Sequence, residues 1–133
     1  MNGYKEVEHT ADIALQVWAE DFYTLLIQAA KGLYALMGVE PTVAPSRQRL
    51  FTLPQGNKET ILVDFLTELL FLAEEDGLFL SVFCFDDGQN VISVRSTGQK
   101  ILTWSREIKA VTFHNLNVET TDQGFSATIT FDV

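Results

Sequence analysis

The chain has little of what usually announces a catalytic or a membrane protein. Cys84 is the only cysteine among 133 residues, so no internal disulfide and no cysteine-based zinc cluster can form. No apolar run approaches the roughly 18 residues that a membrane-spanning helix needs. The opening Met1-Asn2-Gly3-Tyr4-Lys5-Glu6 is polar and lacks the basic-then-apolar layout of a secretory signal. The cytoplasm is therefore the expected compartment, with no membrane partner. Cations are also scarce: nine Lys and Arg, scattered along the chain, face 18 Asp and Glu, a net charge of −9. Such a surface repels a phosphate backbone, so direct nucleic-acid binding is disfavoured, and a metal ion or a basic protein surface is the better match. The eight glycines are dispersed. None begins a phosphate loop, and no Gly-x-Ser-x-Gly elbow, His-Glu-x-x-His helix or EF-hand loop occurs.

What is present is a core. With 47% hydrophobic and 11% aromatic residues, the length suits a single domain of residues 1–133. Tyr4 to His9 and Ile13 to Ala19 read as strands flanking His9-Thr10-Ala11-Asp12. In the second strand Ile13, Leu15 and Val17 alternate with Ala14, Gln16 and Trp18. Apolar residues at three- and four-residue steps predict a helix from Asp21, its N-cap, to Met37, ended by Gly38. Pro41 to Pro45 reads as a loop and Arg47 to Leu53 as a strand. After the turn Pro54-Gln55-Gly56-Asn57, a second helix runs from Glu59 to Glu75. It is apolar around so much of its girth that it is expected to be the more buried of the two. Leu78–Phe85 and Val91–Ser96 read as a hairpin closed by Asp86-Asp87-Gly88-Gln89, with Asp-Gly supplying positive φ. Ile108 to His114, Leu116 to Thr121 and Phe125 to Val133 complete the strands. The expected class is α+β: a mostly antiparallel sheet packed with two main helices.

The residues able to carry chemistry are carboxylates and histidines at strand ends. Asp12 sits between two strands, where a lone Asp commonly makes a turn or capping hydrogen bond. Asp132 closes the last strand and, with Val133 as the chain end, the α-carboxylate follows one residue later. Gathered near Asp12, these would offer three hard oxygen ligands, the set preferred by Ca²⁺ or Mg²⁺; a frayed, solvated tail is the alternative. His9 and His114 each follow an extended segment and could share a site. Hard cations rarely need imidazole, which ranks both below the carboxylates. Asp64 and Glu68 lie one helical turn apart and receive no assigned role. Cys84, between Phe83 and Phe85, reads as a small apolar core residue.

Four blocks together resemble the archease family. Glu8-His9-Thr10-Ala11-Asp12-Ile13 is similar to its opening signature, and the stretch Leu62 to Leu72 to its central helix. Ile108 to His114 resembles the segment before its last hairpin, and Ala127 to Val133 its C-terminal strand. The order and spacing are family-like from end to end. Ala14 and Phe65 depart from the family's frequent Gly and Trp without touching a candidate ligand. The resemblance implies a non-catalytic partner of RtcB-type RNA ligases, which seal tRNA halves during tRNA splicing. Such partners promote guanylylation of the ligase's active-site histidine and repeated turnover, so contact with tRNA is indirect, through the ligase. It also implies a divalent cation, calcium first with magnesium or manganese as alternatives, held by Asp12, Asp132 and Val133. Two readings compete: a small metal-dependent hydrolase with His9 or His114 as base, and a chaperone-like protein-binding module.

Overall fold

The computed structural model describes residues 1–8 and 12–133, and of residue 8 the backbone only. Any role of His9, and the expected continuation of the first strand to it, lie outside the described residues. The elements run β1 (Gly3–Glu8), β2 (Ile13–Ala19), α1 (Phe22–Met37), β3 (Glu40–Pro41), β4 (Arg47–Pro54) and α2 (Lys58–Asp76). There follow β5 (Leu78–Asp87), β6 (Val91–Thr103), β7 (Ala110–Thr112), β8 (Glu119–Thr121) and β9 (Gly124–Asp132). The class is α+β with two main helices, and the strands divide between two antiparallel sheets rather than forming one.

Both helices begin and end on chemistry visible in the sequence. Asp21 accepts a hydrogen bond from the Thr24 N–H at 2.8 Å, and Asn57 accepts one from the Thr60 N–H at 2.8 Å. Each thereby satisfies a backbone donor that the first helical turn leaves free. Gly38 (φ 66°) and Gly77 (φ 62°) end the helices in the left-handed region, which costs a glycine no Cβ clash.

Sheet A has five strands in the order β1-β2-β9-β7, with β8 also on β9. The interior strand β9 pairs with β2 from Ala19↔Phe125 to Ile13↔Phe131. Leu15 and Val17 of β2 and Ala127, Ile129 and Phe131 of β9 point into the core, where α1 packs across them. At Gly32 a Cβ would collide with the Leu15 side chain, so the bare backbone lets the helix sit close on the sheet.

Sheet B is built on β6, which pairs with β4, β5 and β3. Its core face (Leu53, Leu80, Ile92, Val94) meets α2, where the Phe65 ring lies 5.2 Å from Phe83 and 5.7 Å from Phe85. One buried cluster draws on both helices and both sheets.

Four local expectations change. The strand beginning at Val91 continues to Thr103, past Gly98, where any Cβ would run into the Phe79 carbonyl and Leu80 Cα; only glycine lets β5 bulge this close. Pro41, expected in a loop, pairs with Ile101 in the short β3. The hairpin after Asp87 forms, but neither Asp87 nor Gly88 takes a positive φ; the turn is held by the Gly88 N–H donating to the Val91 carbonyl at 2.8 Å. The more buried helix is α1, with ten of 16 residues buried against nine of 19 in α2. Its small residues Ala29, Ala30 and Gly32 allow close packing, whereas α2 keeps one charged strip outside.

Cys84 is also corrected. It is exposed, because the bulge between Leu80 and Val82 resets the alternation. Phe83 and Phe85 then turn inward and Cys84 turns to solvent.

Candidate functional site

Strand register determines where the carboxylates stand. The last β2–β9 pair is Ile13↔Phe131; Asp12 and Asp132 are the next residue on each strand. Successive side chains alternate between faces, and Phe131 is wholly buried. Asp132 therefore belongs to the opposite, outer face and is exposed. Asp12, in a bend, is partly buried, and Val133 is exposed at the chain end. On the other side of β9, Ala110 pairs with Asp132, and the Lys109 N–H donates to the Asp132 carbonyl oxygen at 2.8 Å. That main-chain bond fixes the end of β9 while leaving its carboxylate free. Neither Asp12 nor Asp132 enters an ion pair among the described residues.

Two cationic residues that sequence reading passed over reach this end of the sheet. Exposed Lys109 stands one position before the Ala110↔Asp132 pair. Arg106 places Nη1 3.8 Å from Glu6 Oε2 on β1, and its backbone N–H donates to the Met37 carbonyl at the end of α1. The segment Ile108 to His114 is visible in sequence through its family resemblance, but only pairing to β9 shows that its first half borders Asp132.

The other candidates fall elsewhere. His114 is exposed, two residues beyond β7 in the direction leading away from Asp132. Its Nε2 is 3.3 Å from Asn115 Nδ2. Asp64 and Glu68 line a groove between α2 and β4. Among the described residues no three His, Cys, Asp or Glu side chains converge on one point. The register thus puts positions 12 and 132 next to each other at one end of the sheet. Two hard oxygen donors on neighbouring strands, unpaired with any cation, fit a hard divalent ion better than a soft one.

Comparison with known proteins agrees with this architecture. The family model described as the Archease protein family (MTH1598/TM1083) matches residues 4–133. Protein archease of Methanopyrus kandleri is 33% identical over 139 aligned positions, covering 98% of this chain and 99% of that protein. Protein archease of Methanosarcina barkeri is 29% identical, covering 98% and 95%. Among solved structures, Methanobacterium thermoautotrophicum protein 1598 superposes with a TM-score of 0.74 at 24% identity, over 98% of this chain and 99% of that one. A Thermotoga maritima protein described as an archease and possible chaperone gives 0.73 at 25% identity, over 97% and 96%. With the family model spanning nearly the whole sequence, the chain belongs to the archease family.

Proposed function

We propose that this protein is a non-catalytic, metal-binding activator of an RtcB-type RNA ligase in tRNA splicing, promoting guanylylation of the ligase and its repeated turnover. The observation that carries the reading is the register of β2 on β9, which makes Asp12 and Asp132 neighbours at one sheet end. Asp12, Asp132 and the α-carboxylate at Val133 would hold the ion. Calcium suits a site of carboxylate oxygens on two strands and a tail, because it tolerates irregular geometry; magnesium demands a near-ideal octahedron. The bound ion would supply charge neutralisation near the ligase's nucleotide pocket, where phosphoryl transfer depends on positioning and charge. The chain's own residues do the rest. The two strand ends would set the spacing of the carboxylates, and the Lys109–Asp132 main-chain bond would hold the end of β9 in place. An activator must bind one state of the ligase better than another, since equal affinity for all states shifts nothing. The description of the Thermotoga relative as a possible chaperone supports a protein partner in general.

The test compares wild type with Asp12→Lys. Calorimetric titration with calcium chloride should show binding only to the wild type, and ligase turnovers on broken tRNA with GTP should rise only when the wild type is added. Normal stimulation by a variant that binds no ion would break the link between metal and activation. Steady hydrolysis of generic phosphoesters by the isolated protein would favour the metal-dependent hydrolase instead.

A further inference from the structure

Helix α2 turns one narrow strip to solvent, and its composition is unusual for a solvated face. At three- and four-residue steps the strip reads Asp64, Thr67 and Glu68, then Phe71, then Glu74 and Glu75. The neighbouring Leu69, Leu70 and Leu72 are buried, yet Phe71 is 55% exposed. It forms one wall of a groove of about 400 Å³ with Thr52, Leu53 and Pro54 of β4, and Asp64, Thr67 and Glu68 complete the lining. Its four carboxylates enter no ion pair among the described residues. Nearby cations are engaged elsewhere: Arg49 with Asp76 at the helix end, and Lys58 over the Phe125 ring. The part of β4 that lines the groove, Thr52 to Pro54, adds no cation.

We propose that this strip docks a basic, arginine-bearing segment of a partner protein. Carboxylates at 64 and 68 lie on one side of the exposed ring and those at 74 and 75 on the other. A guanidinium plane can therefore lie on the Phe71 face while its donors fork to a carboxylate. A lysine ammonium, a compact and strongly hydrated point charge, satisfies the charge without the stacking. The strip shares no residue with the Asp12–Asp132 end, and the inference does not depend on the ion-binding reading.

The experiment uses the full chain and short fluorescein-labelled peptides of Arg-Ala and Lys-Ala repeats, read by fluorescence anisotropy, with circular dichroism confirming that each variant is folded. Wild type should bind the arginine peptide roughly threefold to fivefold tighter than the lysine peptide. Phe71→Ala leaves the charge unchanged and should bring the two peptides to parity. Asp64→Asn combined with Glu68→Gln should weaken both peptides, whereas Asp86→Asn combined with Asp122→Asn removes equal charge from other exposed positions and should leave both affinities in place. Equal affinity of wild type for the two peptides would overturn the proposal. So would an arginine preference surviving in Phe71→Ala, or a loss in the control pair matching that in the strip variant.

Discussion

The two sheets are assembled from opposite kinds of contact. Sheet B is largely local: β5 leads directly into β6 through a three-residue turn, and α2 leads directly into β5. Sheet A is non-local, because β2 from the beginning of the chain pairs along its whole length with β9 from the end. Closing so long a loop carries a larger entropic cost, so the local sheet is expected to form earlier. The difference also sorts what each sheet can do. The local half is closed by short connections, while the non-local half sets positions 12 and 132 beside each other.

The contrast can be broken experimentally. The largest effect is expected from Phe65→Ala in the sheet B core, where the ring meets Phe51, Phe83 and Phe85. About 3–5 kcal/mol of stability should be lost, measured by urea unfolding. If the local half leads folding, most of that loss appears as slower refolding in stopped-flow traces. Ile129→Val in β9, fully buried, should cost about 1 kcal/mol and act mainly by speeding unfolding. The opposite partition would make the non-local sheet the nucleus.

The smallest effect concerns the pin between α1 and the β5–β6 hairpin. The Tyr23 hydroxyl donates to Asp87 Oδ1 while its ring stacks on Phe85 at 4.6 Å. Burial first, then the hydrogen bond to Asp87 and the charges of Asp87 and Asp86, push the phenol up from 10.0 to about 12. A folded-state value above the unfolded one means that the contribution is fully present below pH 10. It is lost as pH rises from 10 through about 12. Tyr23→Phe should therefore cost roughly 0.5–1 kcal/mol near neutrality and flatten the decline of the denaturation midpoint in that alkaline window. An unchanged alkaline slope would mean that Tyr23 is not the group responsible.

Legibility followed the range of each interaction along the chain, not the division between the sheets. The bounds of β2 and the two caps of α1 could be read directly, because alternation and capping are properties of a few neighbouring residues, whereas Asn57, the N-cap of α2, reads only as part of a turn. Cys84 was misplaced because the bulge after Leu80 shifts the phase of β5, and no short window reports a bulge that depends on Gly98 in the partner strand. The greater burial of α1 escaped notice because a glycine at position 32 looks like a weakness until Leu15 is seen against it. At the carboxylate end, Asp12, Asp132 and Val133 stand out in sequence as hard oxygen donors at strand ends, and the family resemblance implies the same set. Their adjacency on neighbouring strands is a matter of partner choice between segments far apart, which local periodicity does not encode. Lys109 went unnoticed for the same reason: it stands 23 positions before Asp132 in sequence and beside it in the sheet.

The interior place of β9 has a consequence for the protein's synthesis. Until residue 132 has emerged from the ribosome, β2 has only β1 beside it, and β7 and β8 have no partner at all. Sheet B, by contrast, has all its strands once residue 103 is out. A nascent chain can therefore close one half of its core while the other still exposes apolar faces of β2 and α1, and those faces are covered only once β9 has been made.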